Sequence, residues 1–419
     1  MLINSTSHSK ANPYVRRTAV KLPESQEILI TGNHCLDINV IANSMVSKGM
    51  SGGDRIFIEL CRRWGELGHN IHLYVSETGY EVCEDNKLKA NYHIISRFAA
   101  SRYGLILSYT LRILKALISV QSAQEGSIIY SSSDFLPDTV PAYMMKKKNK
   151  GRWVAGLYLI APNPFQGPPL GIRGHGIRSL LYFLSQKVSI LLMKQCADLI
   201  WVPNNDTKEF LKKKGLPYCR IRVINAGVDM RQVSEAQAKN KVYDACFVGR
   251  FHSQKGIFDL IRIWEYVCTK RRNAKLALIG YGSADWRNKL FSELYRKGLE
   301  ENIDFLGFIG DKEKFEVLKS SKVFVFPSIY ESWGLVACEA MACGLPVVAY
   351  DLPVFREIFP RGMVTIRIGD SKAFADEVID LLENDDRREK LGKEALEIAS
   401  KYDWYNVAKE TLSHLTELQ

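Results

Sequence analysis

The sequence lacks an apolar run of the ~18 to 20 residues that a membrane-spanning helix needs. The nearest candidate, SLLYFLSQKVSILLM at 179–193, is broken by Lys187. It also lacks a Cys-x-x-Cys pair. The nine cysteines are scattered, with no His-rich spacing nearby, which argues against structural zinc and for reduced thiols in a cytosol. The first 25 residues are polar, contain Pro13 and Pro23, and have no apolar stretch of the kind a signal peptide carries, so they read as a loose terminus. No short-period repeat or extended low-complexity tract is visible. These absences lead us to expect a soluble chain located in the cytoplasm.

What is present is an ordinary globular balance. The chain has 419 residues, 46% hydrophobic and 25% charged, which suggests two sizeable domains. The charge is unevenly placed. Residues 1–230 hold 29 Lys and Arg against 17 Asp and Glu, whereas the remainder holds 28 against 29. Within 86–197 the count is 15 to 3. A one-sided basic field favours an anionic partner, whether nucleic acid, lipid headgroups or a phosphorylated substrate. Single lysine runs such as LKKKG (211–215) read more simply as solvated helix faces.

Short β-rich runs alternate with amphipathic stretches. Strands are expected at 27–31, 70–75, 92–96, 127–132, 152–160 and 198–202, with helices over 54–69, 105–120 and 177–196. The same alternation restarts after residue 240, with strands at 243–249, 275–280, 303–307, 322–327 and 346–350. Strand–helix–strand order implies parallel strands with right-handed crossovers. The fold class expected is α/β: two Rossmann-like, doubly wound parallel-sheet domains facing a cleft. The polar stretch 225–241 reads as the linker. We expect an N-terminal domain over 1–230 and a C-terminal domain over 231–400. A terminal helix in 401–419 is expected to cross back to the first domain. Ligands in such folds sit beyond the carboxyl ends of the strands.

Two segments carry chemistry. VGRFHSQKG (248–256) sets Arg250 and Lys255 in a loop between a strand and a helix. Arginine can grip phosphate oxygens bidentately, lysine acts as a point charge, and free N–H groups at the helix start complete a diphosphate cradle. ESWGLVACEAMACGLPVVA (331–349) sets Glu331 and Glu339 eight apart across a loop-to-helix junction, with Gly334 near the helix start. That spacing lets both carboxylates reach one cleft, and the glycine lets backbone N–H groups approach an anion. Carboxylates accept hydrogen bonds from sugar and ribose hydroxyls. Each segment also has a plain reading: incidental loop charges for the first, and a buried, paired Glu339 for the second.

The E-x7-E pattern from Glu331 to Glu339, the following EAMACGLPVVA and the upstream GRFHSQKG resemble the retaining family-4 glycosyltransferases of the GT-B fold. SGGDR (51–55), INAGVD (224–229), LIGYGSAD (278–285), the stretch 305–328 and YDWYNVA (402–408) extend the resemblance over nearly the whole chain. It implies transfer of a sugar from a nucleotide-sugar donor with retention of anomeric configuration. By resemblance, Arg250 and Lys255 hold the donor diphosphate, Glu339 the ribose and Glu331 the transferred sugar. Backbone N–H groups at Gly334 and Leu335 bind phosphate, and Gly52 and Gly53 let the chain pass close to the reacting centre. No Asp-x-Asp pair is present, so the motifs require no metal and no cofactor beyond the donor itself.

One departure stands out. Many members carry a histidine after the strand placed at 152–160; here the segment reads GLYLIAPNPF. Tyr158 and His175 are the nearest polar candidates to replace it. The missing histidine leaves a second reading open, a non-catalytic glycosyltransferase-like binding or scaffold subunit. A nucleic-acid binder rests on the basic half alone, with no recognised motif, so nucleic acid is not expected as a partner. The stretches 103–120 and 177–194 mix Arg and Lys with large aliphatics. Such faces suit peripheral contact with an anionic membrane, at the inner face of the cytoplasmic membrane, and so a glycan or lipid-linked acceptor.

Overall fold

The computed structural model describes residues 35–46, 49–97, 104–120, 125–149, 151–164, 177–238 and 243–419. Within it, Leu36–Gln419 form one compact unit. The strand expected at 27–31, His175 and the end of the expected linker lie outside the described residues.

The first sheet has seven strands: β1 (Asp37–Ala42), β2 (Asn70–Ser76), β3 (Asn91–Ser96), β4 (Ile128–Ser131), β5 (Arg152–Gly156), β6 (Leu199–Val202) and β7 (Ile221–Val223), in the order β3-β2-β1-β4-β5-β6-β7. The second has six: β8 (Tyr243–Val248), β9 (Leu276–Ile279), β10 (Ile303–Gly307), β11 (Ser321–Phe326), β12 (Val347–Tyr350) and β13 (Met363–Ile366), in the order β10-β9-β8-β11-β12-β13. Pairing is parallel in both. Apolar, β-branched runs such as LIWV and VVAY are buried at every position, as strands covered on both faces must be. The two expected Rossmann-like domains are therefore present.

The helices of the first half are α1 (Gly52–Glu66), α2 (Glu77–Asp85), α3 (Leu105–Ser119), α4 (Leu136–Asn149), α5 (Ile177–Cys196), α6 (Asn205–Lys213) and α7 (Met230–Glu235). Those of the second are α8 (Ile257–Lys270), α9 (Ala284–Lys297), α10 (Asp311–Lys319), α11 (Leu335–Ala342), α12 (Pro353–Ile358), α13 (Ser371–Glu383), α14 (Asp385–Ala399) and α15 (Trp404–Thr416).

Several expectations need correction. The strand placed at 152–160 ends at Gly156, and residues 157–160 leave the sheet as a loop. The first described strand is DINVIA at 37–42, which the reading passed over. The segment read as linker contains the short helix α7, whose N-terminus Asp229 caps by accepting from Gln232 N at 3.1 Å.

The junction between the two sheets is held by charge and by one aromatic side chain. Asp229 accepts from Arg62 and from Arg63, each at 3.0 Å, and Glu59 bridges the same two arginines. Val228 pairs with Asp403 just before α15. From α1, the fully buried Trp64 donates its indole N–H to Ala408 O of α15 at 3.2 Å. So the last helix packs on the first one, and the indole finds the partner that a buried N–H requires.

Candidate active site

In each sheet the strand order reverses once, between β1 and β4 and between β8 and β11. The loops that leave β1, β8 and β11 therefore border the crevices where doubly wound sheets bind ligands. The glycine loop follows β1, the Arg250–Lys255 loop follows β8 and the Glu331 loop follows β11.

A capping box fixes the glycine loop. Ser51 Oγ accepts from Asp54 N at 3.2 Å, and Asp54 accepts from Ser51 N at 2.8 Å. Both glycines face close neighbours. A Cβ on Gly52 would lie 3.4 Å from the Leu335 side chain in the opposite domain, and one on Gly53 3.4 Å from the Tyr158 ring. The glycine loop thus passes directly against the start of α11.

Gly334 occupies the left-handed region, φ +102°, at the N-terminus of α11, with the Phe355 ring 3.0 Å from where a Cβ would stand. No side chain caps this helix and no acidic residue lies in its first turn. Its first N–H groups and the positive end of its dipole are thus available to an anion.

Lys255 lies in the short turn Ser253–Lys255 before α8 and forms an ion pair with Glu331. Ser328 Oγ donates to the same Glu331 oxygen at 2.6 Å. Gln254 Nε2 donates to Tyr330 O at 2.9 Å, and Ile329 N to Gln254 O at 3.0 Å, stitching the two loops together. Arg250 is exposed at the head of this loop. It is close enough to Asp54 of the first domain to offset, in part, the rise that burial imposes on that carboxyl.

Glu339 is 7% exposed. Lys314 donates to its Oε1 at 2.7 Å, while Oε2 is buried with no partner among the described residues. The sequence kept two readings of Glu339, a ribose ligand and a buried, paired helix residue. The geometry contains the pairing and also leaves one oxygen unsatisfied, which is the atom a hydroxyl donor would satisfy. Lys314 also contacts Asp311 at 2.9 Å, and Asp311 pairs with Arg55 of α1. Burial raises the Asp311 carboxyl, but Lys314 and Arg55 together outweigh it and hold it far below the carboxylate range.

The structure brings Lys255 and Glu331 together and sets Gly334, Leu335 and the Gly52–Gly53 loop at the same junction. Tyr158 is packed in the core, with its hydroxyl hydrogen-bonded to that of Tyr130 at 2.7 Å. Burial pushes it well above the usual tyrosine range. The reading missed Ser328, Lys314, Tyr330 and Asn204. Only Lys314, three residues after Asp311, left a local signal.

Residues 229–397 match the family model described as glycosyl transferases group 1. Over that segment the chain is similar to the group 1 glycosyltransferases. Similar relatives are an uncharacterized glycosyltransferase of Methanocaldococcus jannaschii, 37% identical over 177 residues, and a phosphatidyl-myo-inositol mannosyltransferase of Mycobacterium leprae, 36% identical over 170 residues. Each alignment takes in 40% of this chain, and 43% and 44% of the relative's own length, so the chain matches less than half of these relatives. Among solved structures, Anabaena Alr3699/HepE in complex with UDP and glucose superposes with a TM-score of 0.71 at 16% identity, over 91% of this chain and 99% of that one. Sucrose-phosphate synthase from Thermosynechococcus elongatus superposes with a TM-score of 0.70 at 16% identity, over the same shares. At that identity the likeness establishes the GT-B fold of this chain.

Proposed function

We propose that the protein is a retaining glycosyltransferase that moves a sugar from a nucleotide-sugar donor to a glycan or lipid-linked acceptor in polysaccharide or glycolipid assembly. The observation that carries this reading is the meeting of Lys255 and Glu331 beside the uncapped start of α11, opposite the Gly52–Gly53 loop. In this reading residues 1–230 form the acceptor-side domain, 231–400 the donor domain, and 401–419 the segment that returns to the first.

The donor diphosphate lies between Arg250, Lys255 and the N–H groups of Gly334 and Leu335. The unsatisfied oxygen of Glu339 takes a ribose hydroxyl, and Glu331 takes the hydroxyls of the transferred sugar. As the glycosidic bond breaks, negative charge builds on the departing nucleotide diphosphate. Two fixed cations and a helix terminus already aimed at that charge supply the main electrostatic stabilisation. Lys255, released from part of its pairing with Glu331 when diphosphate enters, links recognition of the sugar to that of the leaving group.

The relatives named mannosyltransferase, phosphatidyl-myo-inositol mannosyltransferase and O-antigen chain mannosyltransferase B among them, support the acceptor classes. So does α3. Its buried residues are Ser108, Arg112 and Ala116, whereas Ile106 is 61% and Ile118 80% exposed. α3, α4 and α5 lie side by side, with Leu184, Val188 and Leu191 of α5 also exposed and Lys115, Lys147, Lys148 and Lys187 around them. An outward aliphatic face ringed by lysine suits an anionic lipid surface. No helix among the described residues is long and apolar enough to cross a membrane.

The test is a donor screen. Nucleotide release from a panel of nucleotide sugars would be followed with the parent protein, Glu331→Ala and Arg250→Ala. Slow hydrolysis of one donor, lost in both variants, is expected. Tight binding of a donor without turnover, even with lipid-linked acceptors added, would favour a scaffold subunit instead.

A further inference from the structure

The Glu331 loop is gripped from the opposite domain. Asn204, two residues past the end of β6, is 5% exposed and donates its side-chain Nδ2 to Ser332 O at 2.6 Å, across the cleft. Tyr330 OH donates to Ile160 O of the first domain at 3.2 Å. Asn205 Nδ2 donates to Glu357 Oε1 of α12 at 2.8 Å. That helix carries Phe355, the ring against Gly334. Thus the stretch from Tyr330 to Gly334 has a first-domain contact at its start, one at its middle and one on the helix behind its end.

A purely local explanation of Asn204 accounts for half of its side chain. Its Oδ1 accepts from Thr207 N at 2.8 Å and caps α6. A cap needs only that oxygen, and serine serves as well as asparagine there. The amide donor is what asparagine adds, and it is directed at the carbonyl next to Glu331. Asn205 has no part in the capping bond, and it too reaches across.

We infer that Asn204 and Asn205 are positioning residues through which the first domain sets the Glu331 loop, so that the sugar-binding carboxylate is in register only while the two domains are together. Their role is in the chemical step rather than in donor affinity. The Lys255 loop and α11 belong to the second domain and keep their own contacts when the first domain moves away. The inference rests on the glycosyltransferase reading for its kinetic consequence, and on the hydrogen bonds alone for its structural one.

The experiment uses the full chain with Asn204→Ser, Asn205→Ala and Tyr330→Phe, read by hydrogen exchange and by turnover of the donor found in the screen. Asn204→Ser keeps the cap oxygen and removes the donor. Faster exchange is expected in the peptide covering 330–336, with the protection of α6 unchanged. With it goes a fall in kcat of about 5-fold, the worth of one net hydrogen bond, at unchanged KM for the donor. Unchanged exchange over 330–336 in all three variants overturns the inference. So does loosening confined to α6, which would leave Asn204 a cap and nothing more. Should Asn204→Ser fail to fold, the exposed Asn205→Ala variant and Tyr330→Phe decide the same point. If no donor is turned over by the parent, the glycosyltransferase reading fails, and the exchange measurement still stands or falls by itself.

Discussion

At Glu331 and Glu339 the same side chain sits in two different electrostatic settings, and their variants should separate accordingly. Glu331 shares one oxygen between Lys255 and Ser328. Glu331→Gln keeps the shape, removes the charge and frees Lys255 for phosphate. We expect kcat to fall by about 100-fold while a nucleoside diphosphate binds no more weakly, as titration calorimetry would check. Glu339 is buried against Lys314, so Glu339→Gln leaves the lysine with Asp311 alone and weakens the ribose contact. Nucleoside diphosphate affinity should drop by about 10-fold or more, the worth of a charged hydrogen bond, together with a lower melting temperature. A third residue, Asp138, ties stability to pH. Burial pushes its carboxyl up to about 7, although Ser133 and Ser44 donate to it. Between the unfolded value of 3.8 and about 7 the folded state holds a proton that the unfolded state has lost, so this group's contribution to stability falls as pH rises through that window. Asp138→Asn has no such proton to lose. Its stability relative to the parent should therefore improve from pH 4.5 to pH 7.5, measured as the difference in urea midpoints.

Among the described elements, α3 is inverted, with a small, polar inner face and an aliphatic outer one. Replacing Ile106 and Ile118 by aspartate removes no core contact. The melting temperature should hold, since surface changes cost within about 0.5 kcal/mol, while flotation with anionic liposomes at low salt should fail. Flotation equal to the parent's would sink the membrane-facing reading. This helix also marks the limit of what sequence can tell. Its apolar periodicity was legible over 105–120, but which face turns inward depends on what lies beneath it, the loop after β1, where Arg112 donates to Asn43 O and Met45 O. Five strands of the second sheet were legible as short, largely apolar runs between breakers, whereas the sixth, β13, only partly buried, was not. α4 was hidden by Pro141 in its interior, and β1 by Asp37 and Asn39, which interrupt its apolar run. The pair Glu331 and Glu339 was legible because its geometry is local, one loop and one helix. The contact from Asn204 to Ser332 was not, because it joins residues 128 positions apart. No pattern within either segment announces such a contact.

Across the whole molecule, one chain of charges links α1 to α11: Arg55, Asp311, Lys314 and Glu339, from the first turn of α1 to the middle of α11. Arg55 follows the capped glycine loop, and α1 is anchored at its other end by Trp64 on α15. The chain therefore joins the two domains at the cleft, while Asp229 with Arg62 and Arg63 joins them at the hinge. Asp311 is the member whose loss should be seen at this scale. Asp311→Asn leaves Arg55 facing Lys314 with no anion between them, so the domains should separate more readily. The radius of gyration by small-angle scattering at pH 7 should exceed the parent's. The pH dependence has a definite sign. Burial raises this carboxyl, but the two cations prevail and its folded value lies below the unfolded 3.8. The stability it supplies is complete above that value and is lost only as pH falls further, through the folded one. The parent should accordingly remain compact on acidification to lower pH than Asp311→Asn. If the two instead show the same radius at neutral pH and along the whole acid titration, the cleft-side charges do not hold the domains together.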